Sequence, residues 1–111
     1  MEIIRKYPEE MDAKTQYKMT KSPEIKKMSD CVDSILEVVG FMRYTDVDKF
    51  GEVKDVLSVL TDDMEMIATT SPTFIREFDD IVEIFGPDFG ALKVIGGRSK
   101  NGRNYITCTI E

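Results

Sequence analysis

Arg98, Lys100 and Arg103 fall within six residues of one another, and Tyr105 follows, in the closing stretch GGRSKNGRNYITCTIE. Guanidinium and ammonium groups neutralise backbone phosphates, and a flat aromatic ring stacks an unpaired base, each stack contributing about 1–3 kcal/mol. Phe41, Arg43, Lys49, Phe50 and Lys54 repeat the pairing of cation with ring earlier in the chain. These nine residues are the candidate contacts for a single nucleic-acid strand. Catalytic chemistry has no comparable set. The chain contains no histidine, so the commonest general base and metal ligand is missing. Gly96, Gly97 and Gly102 lead into a strand pattern, which leaves no helix N-terminus for a phosphate. Asp62-Asp63 and Asp79-Asp80 are adjacent pairs that do not converge on one point, and Cys31 and Cys108 lack metal-ligand spacing. The expectation is a non-enzymatic protein with no cofactor and no bound metal.

The cations stand out because the chain is acidic, with 21 Asp and Glu against 15 Lys and Arg. Residues 31–90 hold fourteen carboxylates and four cations, whereas residues 91–111 hold four cations and one carboxylate. A local basic feature on an acidic body can hold a phosphate backbone at one face. At 111 residues, 41% hydrophobic and 32% charged, the composition is that of one globular domain with a single modest core. The longest apolar stretch, Val38–Met42, is far below the roughly 20 residues of a membrane-crossing helix. The opening MEIIRKYPEE carries neither an apolar leader nor a cleavage site. A cytoplasmic protein without membrane contact is expected.

Positioning the candidates requires a mainly β framework. Residues 1–19 have no sustained period and read as an arm, flexible or an added edge element, ahead of a domain spanning 20–111. Ser22-Pro23-Glu24 looks like an N-cap and first turn, predicting a short helix to about Ser29. Residues 34–44 alternate as a long strand, with Leu36, Val38, Gly40, Met42 and Tyr44 on one face and Ile35, Glu37, Val39, Phe41 and Arg43 on the other. A polar loop, a strand over 53–60 and another over 64–69 follow. Ser71-Pro72 then opens an amphipathic helix with Phe74, Phe78 and Phe85 on its apolar stripe, closed by Gly86-Pro87. Strands over 91–97 and 104–110 flank an Asn101-Gly102 turn, the strongest short-range hairpin signal. The order β-β-β-α-β-β, preceded by a short helix, is that of the five-stranded OB-fold barrel, with one to two helices in all, a scaffold that commonly binds oligonucleotides.

The stretch from about Met64 to Ile110 resembles the single-stranded-DNA-binding proteins of small phages with protein-primed replication. The likeness lies in Ala68-Thr69 and Ser71 opening a helix, an acidic helix body ending near Phe85, Leu92-Lys93-Val94-Ile95, and Ser99-Lys100-Asn101-Gly102 before an aromatic strand. It implies an OB-fold, a coat on displaced strands during DNA replication without sequence preference, and the bacterial host cytoplasm as location. Arg98 after Gly96-Gly97 departs from the pattern, and the first half matches mainly in strand layout.

In the last strand, alternation assigns Ile106, Cys108 and Ile110 to the core and turns Tyr105 outward. The loops after the first and fourth barrel strands border an OB-fold groove, which expects both basic-aromatic clusters beside one bound strand. Phe41 belongs either to that groove or to the barrel interior. Few cations on an acidic body predict weak binding at a single site, aided by self-association. The competing reading is an acidic interaction module, an inhibitor or DNA mimic that meets a host or replication protein through Asp46, Asp48, Asp55, Asp62 and Asp63.

Overall fold

A computed structural model describes all residues from Met1 to Glu111. In chain order the elements are β1 (Glu2–Tyr7), α1 (Ala13–Lys21), β2 (Lys26–Lys27), a 3₁₀ turn (Met28–Cys31), β3 (Ile35–Val47), β4 (Val53–Thr61), β5 (Met66–Thr69), α2 (Pro72–Phe85), β6 (Ala91–Arg98) and β7 (Asn104–Ile110). There are thus seven strands, not five. The two extra ones, β1 and the two-residue β2, come from the segment ahead of the expected barrel. The sheet runs β2-β5-β4-β3-β6-β7, with β1 also on β3. Its ends, β2 and β7, do not pair, so the sheet curls into a half-barrel around its core.

β3 makes this curl possible. Its first residues pair with β6, Ile35 opposite Lys93 and Glu37 opposite Ala91. Its later residues pair with β4 on one side and β1 on the other. Between Val38 and Gly40 the register with β4 shifts by a bulge, which inserts one residue and exchanges the faces of everything after it. The expected face assignment therefore fails past Val39. Leu36, Val38 and Phe41 share the inner core, and Met42 and Tyr44 turn to a second cluster on the outer face. Gly40 sits at this crossing. A Cβ there would come 2.9 Å from the Tyr7 carbonyl oxygen, so only glycine lets β1 approach β3.

Two helices cover the two faces unequally. α2 begins as its sequence predicts, with the Ser71 hydroxyl accepting from the Phe74 N–H (3.3 Å) and Pro72 in the first turn. It buries Phe74, Ile75, Phe78, Ile81 and Val82 against the inner face. Phe85, expected in the core, is 53% exposed; Phe89, beyond the helix end, packs edge-on to Phe78 instead, with centroids 5.6 Å apart. α1 lies on the outer face, where Met11 and Met19 join Met42 and Tyr44. A buried side chain of this size contributes about 1.5–3 kcal/mol, so five on α2 hold far more firmly than Met19 and the preceding Met11.

α1 also corrects the expected helix at 22–29. Asp12 is the N-cap, accepting from the Thr15 N–H (2.7 Å), and Ser22 is the C-cap, its N–H donating to the Lys18 carbonyl (3.2 Å). Ser-Pro stops this helix where it was expected to start one, because a proline just past a C-cap blocks continuation as readily as one at N1 permits a start. The 3₁₀ turn after it inserts Met28, fully buried, into the inner core. Residues 1–19, read as an arm, form the edge strand β1 and most of α1. No helix is long and apolar enough to cross a membrane.

Candidate functional site

The β6–β7 hairpin is built as the alternation predicts. Cys108 is buried, Ile106 and Ile110 pack against the core, and Tyr105 faces outward at 42% exposure. Across the ladder Tyr105 is paired with Gly97. A Cβ on Gly97 would stand 2.5 Å from the ring carbon Cζ, so the ring rests against the glycine backbone. The contact covers part of the ring, while the residue as a whole stays 42% exposed.

The turn beyond it is tightly closed. The Ser99 N–H donates to the Arg103 carbonyl (2.8 Å), the Gly102 N–H to the Ser99 carbonyl (2.9 Å), and the Arg103 N–H to the Ser99 hydroxyl (3.3 Å). Arg98, Lys100 and Arg103 are exposed on it. The protein's ion pairs are Lys21–Asp46, Lys26–Glu65, Arg43–Asp79 and Lys54–Asp48, so none of these three cations is neutralised internally.

Arg98 and Tyr105 border the largest concavity of the surface, about 1060 Å³, which lies along the open seam of the half-barrel. The 3₁₀ turn forms its opposite wall, and the start of α2 crosses it at Thr70 and Ser71. The Ser71 hydroxyl donates to the Ile106 carbonyl (3.5 Å), linking α2 to β7 at this point. A second concavity of about 430 Å³, lined by Lys54 and Arg76, shares Thr70 and Pro72 with the first. Thr70 and Pro72 thus stand between two concavities, one carrying Lys54 and Arg76 and the other Arg98 and Tyr105.

Lys49, Phe50 and Lys54 lie at the β3–β4 turn. The Asp48 carboxylate brackets it, accepting from the Phe50 N–H (2.8 Å) and the Glu52 N–H (3.0 Å). Phe50 is thereby presented at 78% exposure with the Lys49 ammonium 5.2 Å from its ring centroid. Lys54 stands 3.9 Å from Asp48, an exposed and weak pairing.

Two expected contacts are corrected. Phe41 is fully buried, stacked on Tyr7 at 5.8 Å and edge-on to Phe78 at 5.0 Å; the β3 bulge turns it inward, so no face is free for a base. Arg43, on the same inner side, donates from Nε and Nη2 to both Asp79 carboxylate oxygens at 3.0 Å, and its side chain is only 13% exposed. It anchors α2 to β3. Arg76 is the residue the sequence reading missed. It is the one cation in α2 and is exposed, a signal present in the helix pattern but lost among its carboxylates.

Both thiols are perturbed by burial, the Cys31 thiol upward and the Cys108 thiol up to about 12. They stay protonated near neutrality and are poor nucleophiles. No group of three or more Cys, Asp or Glu is arranged to hold a metal ion. No protein-family model matches this chain, and no curated protein or solved structure matches it significantly.

Proposed function

We propose that the chain binds single-stranded DNA without sequence preference, at the concavity bordered by Arg98 and Tyr105. The observation that carries this reading is the Tyr105 ring, backed by Gly97 and 42% exposed, on the same hairpin as three cations with no internal partner. Stacking and phosphate neutralisation are what non-specific single-strand binding needs. Phe50, Lys49, Lys54 and Arg76 extend the same combination toward the β3–β4 turn. The succession β3, β4, β5, α2, β6, β7, with β3 serving both halves of the sheet, supports an OB-like reading elaborated by β1, α1 and β2. On that reading the protein coats displaced strands, and the likeness to small-phage binding proteins suggests DNA replication as the setting.

The acidic-module alternative is less favoured because its carboxylates are partly committed. Asp46 and Asp48 have lysine partners, Asp48 also holds its own turn, and Asp63 accepts from the Thr61 hydroxyl. A salt titration of binding to labelled oligo(dT), oligo(rU) and duplex DNA tests the proposal. Retention of oligo(dT) that weakens steeply with salt and exceeds retention of duplex is expected. Absence of binding to any strand at low salt refutes it.

A further inference from the structure

The β6–β7 ladder gives the hairpin two faces. Leu92, Val94 and Cys108 belong to the inner core, with Ile106 and Ile110 packed against it. Alternation therefore turns Lys93, Ile95 and Gly97 of β6 outward, opposite Thr109, Thr107 and Tyr105 of β7. β3 extends this outer face by one strand, since Ile35 lies opposite Lys93. No helix rests on it. α2 packs on the inner side, where its Phe74 carbonyl meets the Cys108 thiol (4.0 Å), and α1 covers Met42 and Tyr44, farther along β3.

The face is ordered along β6. Tyr105 stands at the Gly97 end. Next come the half-buried Ile95 and Thr107, and after them Lys93 beside Ile35, which is 54% exposed. Lys93 has no carboxylate partner. At the rise of an extended strand, the Lys93 row lies about 13 Å from the Tyr105 row. Beyond Lys93, Glu37 lies opposite Ala91 and the Glu111 N–H donates to the Ala91 carbonyl (3.1 Å). Carboxylates at that end repel a phosphate backbone and limit the face. A ring, then methyl groups, then an unpaired cation suit a strand whose bases are free: the bases cover the apolar groups and a phosphate meets the ammonium. A duplex hides its base faces and can use only the cation. Resting on the single-strand reading, we infer that the bound strand continues from Tyr105 across this outer face as far as Lys93, which contacts a phosphate, with Ile35 beneath a base.

Salt titrations of oligo(dT) binding by the full chain test the inference. Lys93→Ala should weaken binding about fivefold near 0.1 M salt and lower the slope of log affinity against log salt by about 0.7, whereas Lys93→Arg should keep both. Ile35→Ser should lose affinity for oligo(dT) with the slope unchanged and leave duplex binding as it was. Lys14→Ala removes a cation from α1 and should leave the slope as in wild type. Thermal melts of each variant separate loss of contact from loss of folding. A wild-type slope in folded Lys93→Ala, an equal fall in Lys14→Ala, or undiminished oligo(dT) binding by Ile35→Ser overturns the inference. If Arg98→Ala, Lys100→Ala and Arg103→Ala still lower the slope in that case, the binding function stands and only the path falls. Absence of oligo(dT) binding at low salt overturns both.

Discussion

Tyr105 rests against Gly97 so closely that a Cβ on the glycine would lie 2.5 Å from Cζ and 2.6 Å from the phenol oxygen. The atoms in the way belong to the far end of a side chain that can swing aside. Gly97→Ala should therefore leave the melting temperature nearly unchanged and displace the ring. Affinity for oligo(dT) should fall in Gly97→Ala and in Tyr105→Ala, the latter by about 1–3 kcal/mol, with Tyr105→Phe close to wild type. Fluorescence titration reads all three. Undiminished binding by Gly97→Ala would show that ring placement does not matter.

Arg98, Lys100 and Arg103 have no internal partner, so their removal should act on binding and not on folding. Each neutralisation to Ala should reduce the slope of log affinity against log salt by about 0.7, the value for a single strand. A slope that does not change with any of the three would remove them from the interface.

Phe41 and Arg43 should behave in the opposite way. Phe41→Ala opens a cavity among Tyr7, Phe78 and the inner core and should cost about 3–5 kcal/mol in urea unfolding. Asp79→Ala strands the guanidinium of Arg43, whose Nη1 is already buried without a partner, and should cost about 1–3 kcal/mol. If either variant melts like wild type while losing oligonucleotide affinity, its assignment to the core is wrong.

Ser58 is fully buried between Met42 and Ala68 in the register of the sheet, and its hydroxyl has no hydrogen-bond partner. An unpaired buried hydroxyl costs about 1–3 kcal/mol. Ser58→Ala should raise stability, by about 1 kcal/mol after the small loss of packing. A lower midpoint in urea would mean that the hydroxyl is paired after all.

Acid should loosen the α1 and β4–β5 ends first. Hydrogen bonds from Thr15 hold the Asp12 carboxyl below its ordinary value, and the Thr61 hydroxyl does the same for Asp63. A depressed folded-state pKa gives stability that is present above the unfolded value of about 3.9 and lost as pH falls through the folded one. Thermal midpoints should therefore fall below about pH 4. The fall should be shallower in Asp12→Asn, which keeps a capping oxygen without the titration.

The elements from β3 to β7 were legible because each is written in local terms. Ser71-Pro72 and Gly86 bound α2, Asn101-Gly102 bounds the last hairpin, and the Ile106, Cys108, Ile110 alternation orients β7 with Tyr105 outward. The same local grammar misled at Ser22-Pro23, where one dipeptide serves a helix end as well as a helix start and only the preceding turns decide. β1 was illegible since its pattern has no period of its own. Its place depends on Gly40, more than thirty residues away, admitting the Tyr7 carbonyl.

The sequence by itself determined where most strands and α2 lie, which hairpin carries the free cations, and that no histidine chemistry is available, because these follow from neighbouring residues and composition. Only the tertiary structure decided that Phe41 and Arg43 are spent on the core, that Gly97 backs Tyr105, and that Arg76 shares a concavity with Lys54. Each of those depends on a contact between distant segments. In β3 a single inserted residue in the ladder exchanges the two faces of the strand, and it leaves no mark in the alternation of residue types.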